Sequence, residues 1–119
     1  MQFLLSVQHR ITSDGDYQLS IPEGTNPDDL FTAVAALNAD LEAEGAWVFA
    51  GGLMPPSQGA VVDSTGPEVV TIDGPHADSA EFLGGFWVIE AADRETALDW
   101  ARRASAATRQ EVHLRPFQG

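Results

Sequence analysis

The run Phe86-Trp87-Val88-Ile89 has no polar break, is too short for a helix, and is built from aromatic and β-branched residues, so it predicts a buried strand. Side chains alternate along a strand, which puts Phe86 and Val88 on one face and Trp87 and Ile89 on the other. A sheet holding this strand therefore carries apolar side chains on its back as well as its front, and both faces need a cover. The stretch that leads in is equally constrained. Val69 to Ile72 is a second extended run, and Asp73-Gly74-Pro75 follows it with a side chain that bonds its own backbone, a permissive φ and a fixed φ. Gly84-Gly85 then lets the chain pass close to another backbone.

The other elements read around that strand. Phe3, Leu5 and Val7 alternate with polar neighbours, as in a first strand with one buried face. Residues 11–24 read as a turn-rich connection with a short extended piece at Tyr17-Gln18-Leu19. Asn26-Pro27-Asp28-Asp29 opens a helix: Asn caps, Pro sits where its missing N–H costs nothing, and the carboxylates meet the positive end of the dipole. Leu30, Val34, Leu37 and Leu41 form its apolar stripe, and Gly45 closes it. Trp47-Val48-Phe49 starts a strand that bends at Gly51-Gly52. Ala60-Val61-Val62 and Glu68 to Ile72 form a hairpin. Asp93 caps a second helix with Ala97, Leu98, Ala101 and Ala104 inside and Asp99 paired to Arg103 outside. Glu111 to Phe117 is the last strand.

This order predicts a single α+β domain over residues 1–119: a ferredoxin-like antiparallel sheet with two helices on one face. Two helices cover one side only. The simplest cover for the other is the sheet of a second copy, so the expected assembly is a homodimer, a dimeric α+β barrel.

Charge narrows the partners. Eighteen acids against six arginines and no lysine give a formal net charge of −12, which opposes docking on nucleic acid or anionic membrane. The absence of cysteine removes disulfides, thiolate nucleophiles and sulfur-ligated metals, and fits a cytoplasmic chain. Met1 to Leu5 has no basic flank and is soon broken by Ser6, Gln8 and Arg10, so neither a signal peptide nor a membrane span is expected.

If Val112 and Leu114 face the helices, His113 and Arg115 face the space between the two sheets, with Ser6 and Gln8. A partly polar pocket follows, holding His113, Arg115 and Glu90, with Trp87 or Phe86 as walls and a small organic molecule as ligand. The plain alternative has His113 and Arg115 facing water or forming interface ion pairs. A second set is Asp73 with His76 and Asp78, where a carboxylate could orient a histidine as general base. The alternative is that Asp73 serves only its turn. His9 is expected as an exposed strand-end residue. The three histidines lie in unrelated segments, and no metal-binding, phosphate-binding or hydrolase motif is present, so no metal and no cofactor is expected.

Asp73-Gly74-Pro75-His76-Ala77-Asp78-Ser79-Ala80-Glu81 resembles the D-G-P-F-A-E-T-K-E signature of the DGPF group of YCII-related proteins, and Leu83-Gly84-Gly85-Phe86 is similar to the segment that follows it there. Gly52-Leu53 with Pro55-Pro56, the helix from Glu95 to Ala101, and His113-Leu114-Arg115-Pro116 resemble further segments of that group. The resemblance implies a dimeric α+β barrel that binds a small organic molecule, with acid–base chemistry by His113 or His76 as one reading. The other is a non-enzymatic regulatory or interaction module tied to sigma-factor-linked transcription through protein contacts. The chain departs from the signature at His76, Ala80 and His113, where the group has Phe, Lys and Glu.

Overall fold

A computed structural model of the chain describes residues 1–11, 17–18, 24–74 and 81–119. Its strands are β1 (Gln2–Ile11), β2 (Tyr17–Gln18), β3 (Trp47–Gly52), β4 (Ala60–Asp63), β5 (Val70–Asp73), β6 (Glu81–Glu90) and β7 (Val112–Pro116); its α-helices are α1 (Pro27–Ala43) and α2 (Arg94–Thr108). The main sheet is antiparallel in the order β7-β1-β6-β3, and β2 pairs with the far end of β1. Strand, helix, strand, strand, helix, strand is the ferredoxin-like α+β arrangement.

Register assigns the faces. Leu5 lies between Trp87 and Leu114, Phe3 opposite Ile89, and Val7 opposite Val112. These side chains meet Leu37 and Leu41 of α1 and Ala97, Trp100, Ala101 and Ala104 of α2 in one core, where Phe3, Leu5, Leu41 and Ile89 are fully enclosed. The opposite face carries Leu4, Ser6, Phe86, Val88 and Phe49; the last is 56% exposed and packs its ring on Phe86 at 5.8 Å. Both faces of β6 are therefore apolar, and the helices cover one.

The helix ends follow their local chemistry. Asn26 accepts a hydrogen bond from the Asp28 N–H at 2.9 Å, and Asp93 accepts one from Thr96 at 2.8 Å. That bond holds the Asp93 carboxyl below its ordinary value. Gly45 closes α1 at φ +72°, a left-handed turn that suits glycine.

Two expectations change. Asp99 pairs with Arg102 rather than Arg103, because Arg103 turns to the other helix, bonds Asp40 and stacks over Trp100 at 4.9 Å. An exposed tie of this kind contributes about 0–1 kcal/mol, so it orients α1 against α2 more than it stabilises them. β6 is also longer than its apolar run. Gly84 enters as a bulge between the pairs Val7–Gly85 and Gln8–Leu83, so pairing continues to Glu81 opposite Arg10.

β4 and β5 form a separate two-stranded sheet. Among the described residues, no helix is long and apolar enough to cross a membrane.

Leu41 is 1% exposed in the seam between α1 and the sheet, whereas Phe31 on the same helix is 74% exposed. Leu41→Ala is expected to lower unfolding free energy in urea by about 2–5 kcal/mol, and Phe31→Ala by under about 0.5 kcal/mol.

Candidate functional site

A concavity with an apolar, glycine-rich lining lies on the helix side of the sheet. It is a groove of about 430 Å³ between the N-terminal half of α1 and the bulged end of β1, β6 and β3. That volume is within the range of small-molecule sites. Phe31, Val34 and Asn38 line it from the helix, Val7, His9, Trp47, Ala50 and Trp87 from the strands, and Thr108 and Gln110 from the end of α2. Gly51, Gly52, Gly84 and Gly85 form its floor.

Glycine makes this floor possible. A Cβ on Gly84 would lie 2.2–2.5 Å from three atoms of the His9 ring, so the imidazole occupies the space that a side chain would take. A Cβ on Gly85 would lie 3.1 Å from the Gly51 carbonyl oxygen, which shows how closely β3 approaches β6 there. The Gly84 bulge and the odd-numbered face of β1 together turn His9 inward, edge-on to Phe82 with ring centroids 5.6 Å apart. Burial holds its imidazole below its ordinary pKa. His9 is thus a neutral ring at neutral pH, half-buried at the groove, rather than the exposed strand-end residue that its neighbours in sequence suggest.

Two amides supply polarity. The Trp87 indole N–H donates to Asn38 Oδ1 at 2.8 Å, which fixes that side chain by its oxygen and leaves its NH₂ as a donor. Gln110 Nε2 reaches the Thr108 carbonyl at 3.4 Å, while Gln110 Oε1 is buried and accepts no hydrogen bond among the described residues. None of the described lining residues is charged, in a chain of net charge −12.

The residues singled out from sequence are dispersed. Gln8, His113, Arg115 and Glu90 belong to the bare face. His113 stands opposite Ser6 in register, Arg115 opposite Leu4, and Glu90 opposite Gln2. Gln8 donates to Ser6 Oγ at 3.5 Å, and His113 Nε2 lies 3.8 Å from a Glu111 carboxylate oxygen. Glu90 accepts the Met1 amine at 2.7 Å, six residues along β1 from Gln8, or roughly 20 Å at strand spacing. Trp87 is on the other side of the sheet, in the groove. Asp73 ends β5 opposite Ala60 and is exposed. His76 and Asp78 lie outside the described residues. Among the described residues, no group of three or more His, Cys, Asp or Glu side chains stands where it could share a metal ion.

Asn38 is the groove residue whose signal was present and overlooked. It stands four residues after Val34 on the stripe that also holds Leu37 and Leu41, a polar break in an apolar face.

A family model for the YCII-related domain matches residues 1–117. The chain belongs to the YCII-related family. A curated relative, an uncharacterized protein of Rhizobium meliloti (strain 1021), is 38% identical over 55 residues, which are 46% of this chain and 44% of the relative. The chain thus aligns with less than half of that relative's length. In this YCII-related chain the groove, the bulge and the inward histidine are all formed by residues within the matched span.

The His9 environment predicts a pH dependence. Unfolded, the imidazole binds a proton near its ordinary pKa of 6.5; folded, it resists protonation, so its contribution is present above that value and lost as pH falls below it. Chemical denaturation from pH 7.5 to about 5 is expected to show a decline in stability that is shallower in His9→Asn. Gly84→Ala is expected to push the ring out, and NMR titration of His9 should then move up toward 6.5.

Proposed function

We propose that this YCII-related protein binds a small, uncharged organic molecule with an apolar or aromatic body in the groove between α1 and the glycine floor. The observation that carries this reading is the pairing of an uncharged, aromatic lining with a buried acceptor, Gln110 Oε1, that has no partner among the described residues. An unmet buried acceptor costs about 1–3 kcal/mol, which a ligand N–H or O–H donor would offset. The Asn38 NH₂ offers the complementary donor. The Asp73-Gly74-Pro75 and Leu83-Gly84-Gly85-Phe86 sequences support placing the chain in the DGPF group, and the lack of cysteine suits a cytoplasmic location.

The bare sheet face supports a second element of the same reading. Phe49, Phe86, Val88 and Leu4 form an apolar surface that the chain's helices do not reach. A second copy placed sheet to sheet would cover it and enclose Gln8, His113 and Arg115, giving a homodimer.

Native mass spectrometry of the protein purified from its source cells is expected to show a retained small molecule. Asn38→Ala and Trp87→Phe should each weaken its binding at least tenfold, while His113→Ala leaves it unchanged. If His113→Ala removes the ligand and the groove substitutions do not, the site belongs between the sheets. Protein that carries nothing under any growth condition would favour the interaction module over the binding protein.

A further inference from the structure

Among the described residues, no element forms a layer over the apolar side chains of the β4–β5 hairpin. Register puts Ile72 opposite Val61 and Val62 opposite Thr71, so Val61, Ile72 and Val70 share one face while Val62 stands on the other. Val62, Val69, Val70 and Ile72 are between 50% and 67% exposed. A lone two-stranded hairpin is marginal in water, and aliphatic residues on both faces make it worse unless something covers them. Its base is nonetheless firmly set: Gly74 takes φ +91°, and its N–H donates to the Gly59 carbonyl at 2.8 Å. The hairpin is a shaped projection with its apolar surface turned outward.

The dimensions of the chain agree. It measures 48 × 41 × 18 Å with a radius of gyration of 16.3 Å, against about 13.5 Å for a compact chain of this length. It exposes 8000 Å², whereas a compact monomer of this mass exposes roughly 6,200 Å². The excess of roughly 1,800 Å² is within what each subunit of an obligate homodimer buries, about 1,000–2,500 Å². Along the chain, the exposed apolar side chains continue from the arm back through Met54 and Leu53 to Phe49 on β3, the edge strand of the bare face.

We propose that the hairpin is a dimerisation arm: each copy of the chain lays its Val61, Val70 and Ile72 face against a second copy and receives that copy's arm in return by two-fold symmetry. This rests on the second-copy reading of the bare sheet face and adds to it, because two sheets packed face to face would leave a hairpin outside the main sheet still exposed. A second copy is the occupant favoured by area, and reciprocal arms would cover both exposed hairpins at once.

The test is the solution mass of the full chain by light scattering at micromolar concentration, for wild type, for the arm variant V70K/I72K and for the sheet-face variant F49K. Wild type is expected at twice 12.7 kDa, and V70K/I72K is expected to weaken association at least a hundredfold with far-UV circular dichroism retained. Two added lysines reduce the net charge of a −12 chain, so long-range repulsion between copies falls rather than rises. Hydrogen exchange on wild type gives an answer that needs no variant: amides of residues 60–63 and 70–73 should become protected as concentration rises through the dimer range. A wild-type monomer would overturn both the arm and the second-copy reading. A dimer that F49K breaks, with V70K/I72K without effect and no concentration-dependent protection in the hairpin, would overturn the arm alone.

Discussion

The pairing of β1 with β6 is the contact on which the rest of this structure depends. These two long strands are the centre of the sheet, and their register decides which face every neighbouring side chain meets. With Leu5 opposite Trp87 and Phe3 opposite Ile89, the large side chains of both strands fall together under the helices. A slip of one residue would send that set to the other face and leave α1 and α2 nothing to pack on. The central pair, not the helices, thus sets the core.

The same pairing creates the groove by failing locally. Where Gly84 is inserted, β6 bends, β3 is drawn close at Gly85, and the space above two glycine pairs is left for an imidazole and a cavity. The departure from regular pairing makes room for this cavity. Trp87 couples this site to the core, since the residue that packs beside Leu5 also fixes Asn38 through its indole N–H.

Much of the architecture was legible in the residues. Helix starts at Asn26 and Asp93, the left-handed stop at Gly45, and the two-faced apolar strand at Phe86 to Ile89 are local patterns with local causes. The candidate site was less legible. Alternation along β7 correctly puts His113 and Arg115 away from the helices, and the glycine pair does mark a close backbone approach. But alternation says nothing of which strands adjoin, and Trp87, placed with His113 by apolar character alone, lies across the sheet from it. His9 beside Arg10 reads as a polar strand end; alternation puts it on the face of Phe3, Leu5 and Val7, and the bulge at Gly84, in a strand more than seventy residues away, leaves the space that its ring fills.

What the sequence determined by itself is therefore the list of elements, their ends, and the demand that the sheet be covered on two sides. These follow from short-range sterics, capping and side-chain periodicity, which act within a few residues. Tertiary structure alone decided where polarity sits inside the fold. Asn38, Gln110 and His9 come from separate elements and meet at one groove only because the bulged β1–β6 pair brings those elements to the same corner. Long-range register has no local code, so the site it assembles becomes visible only once the chain is folded.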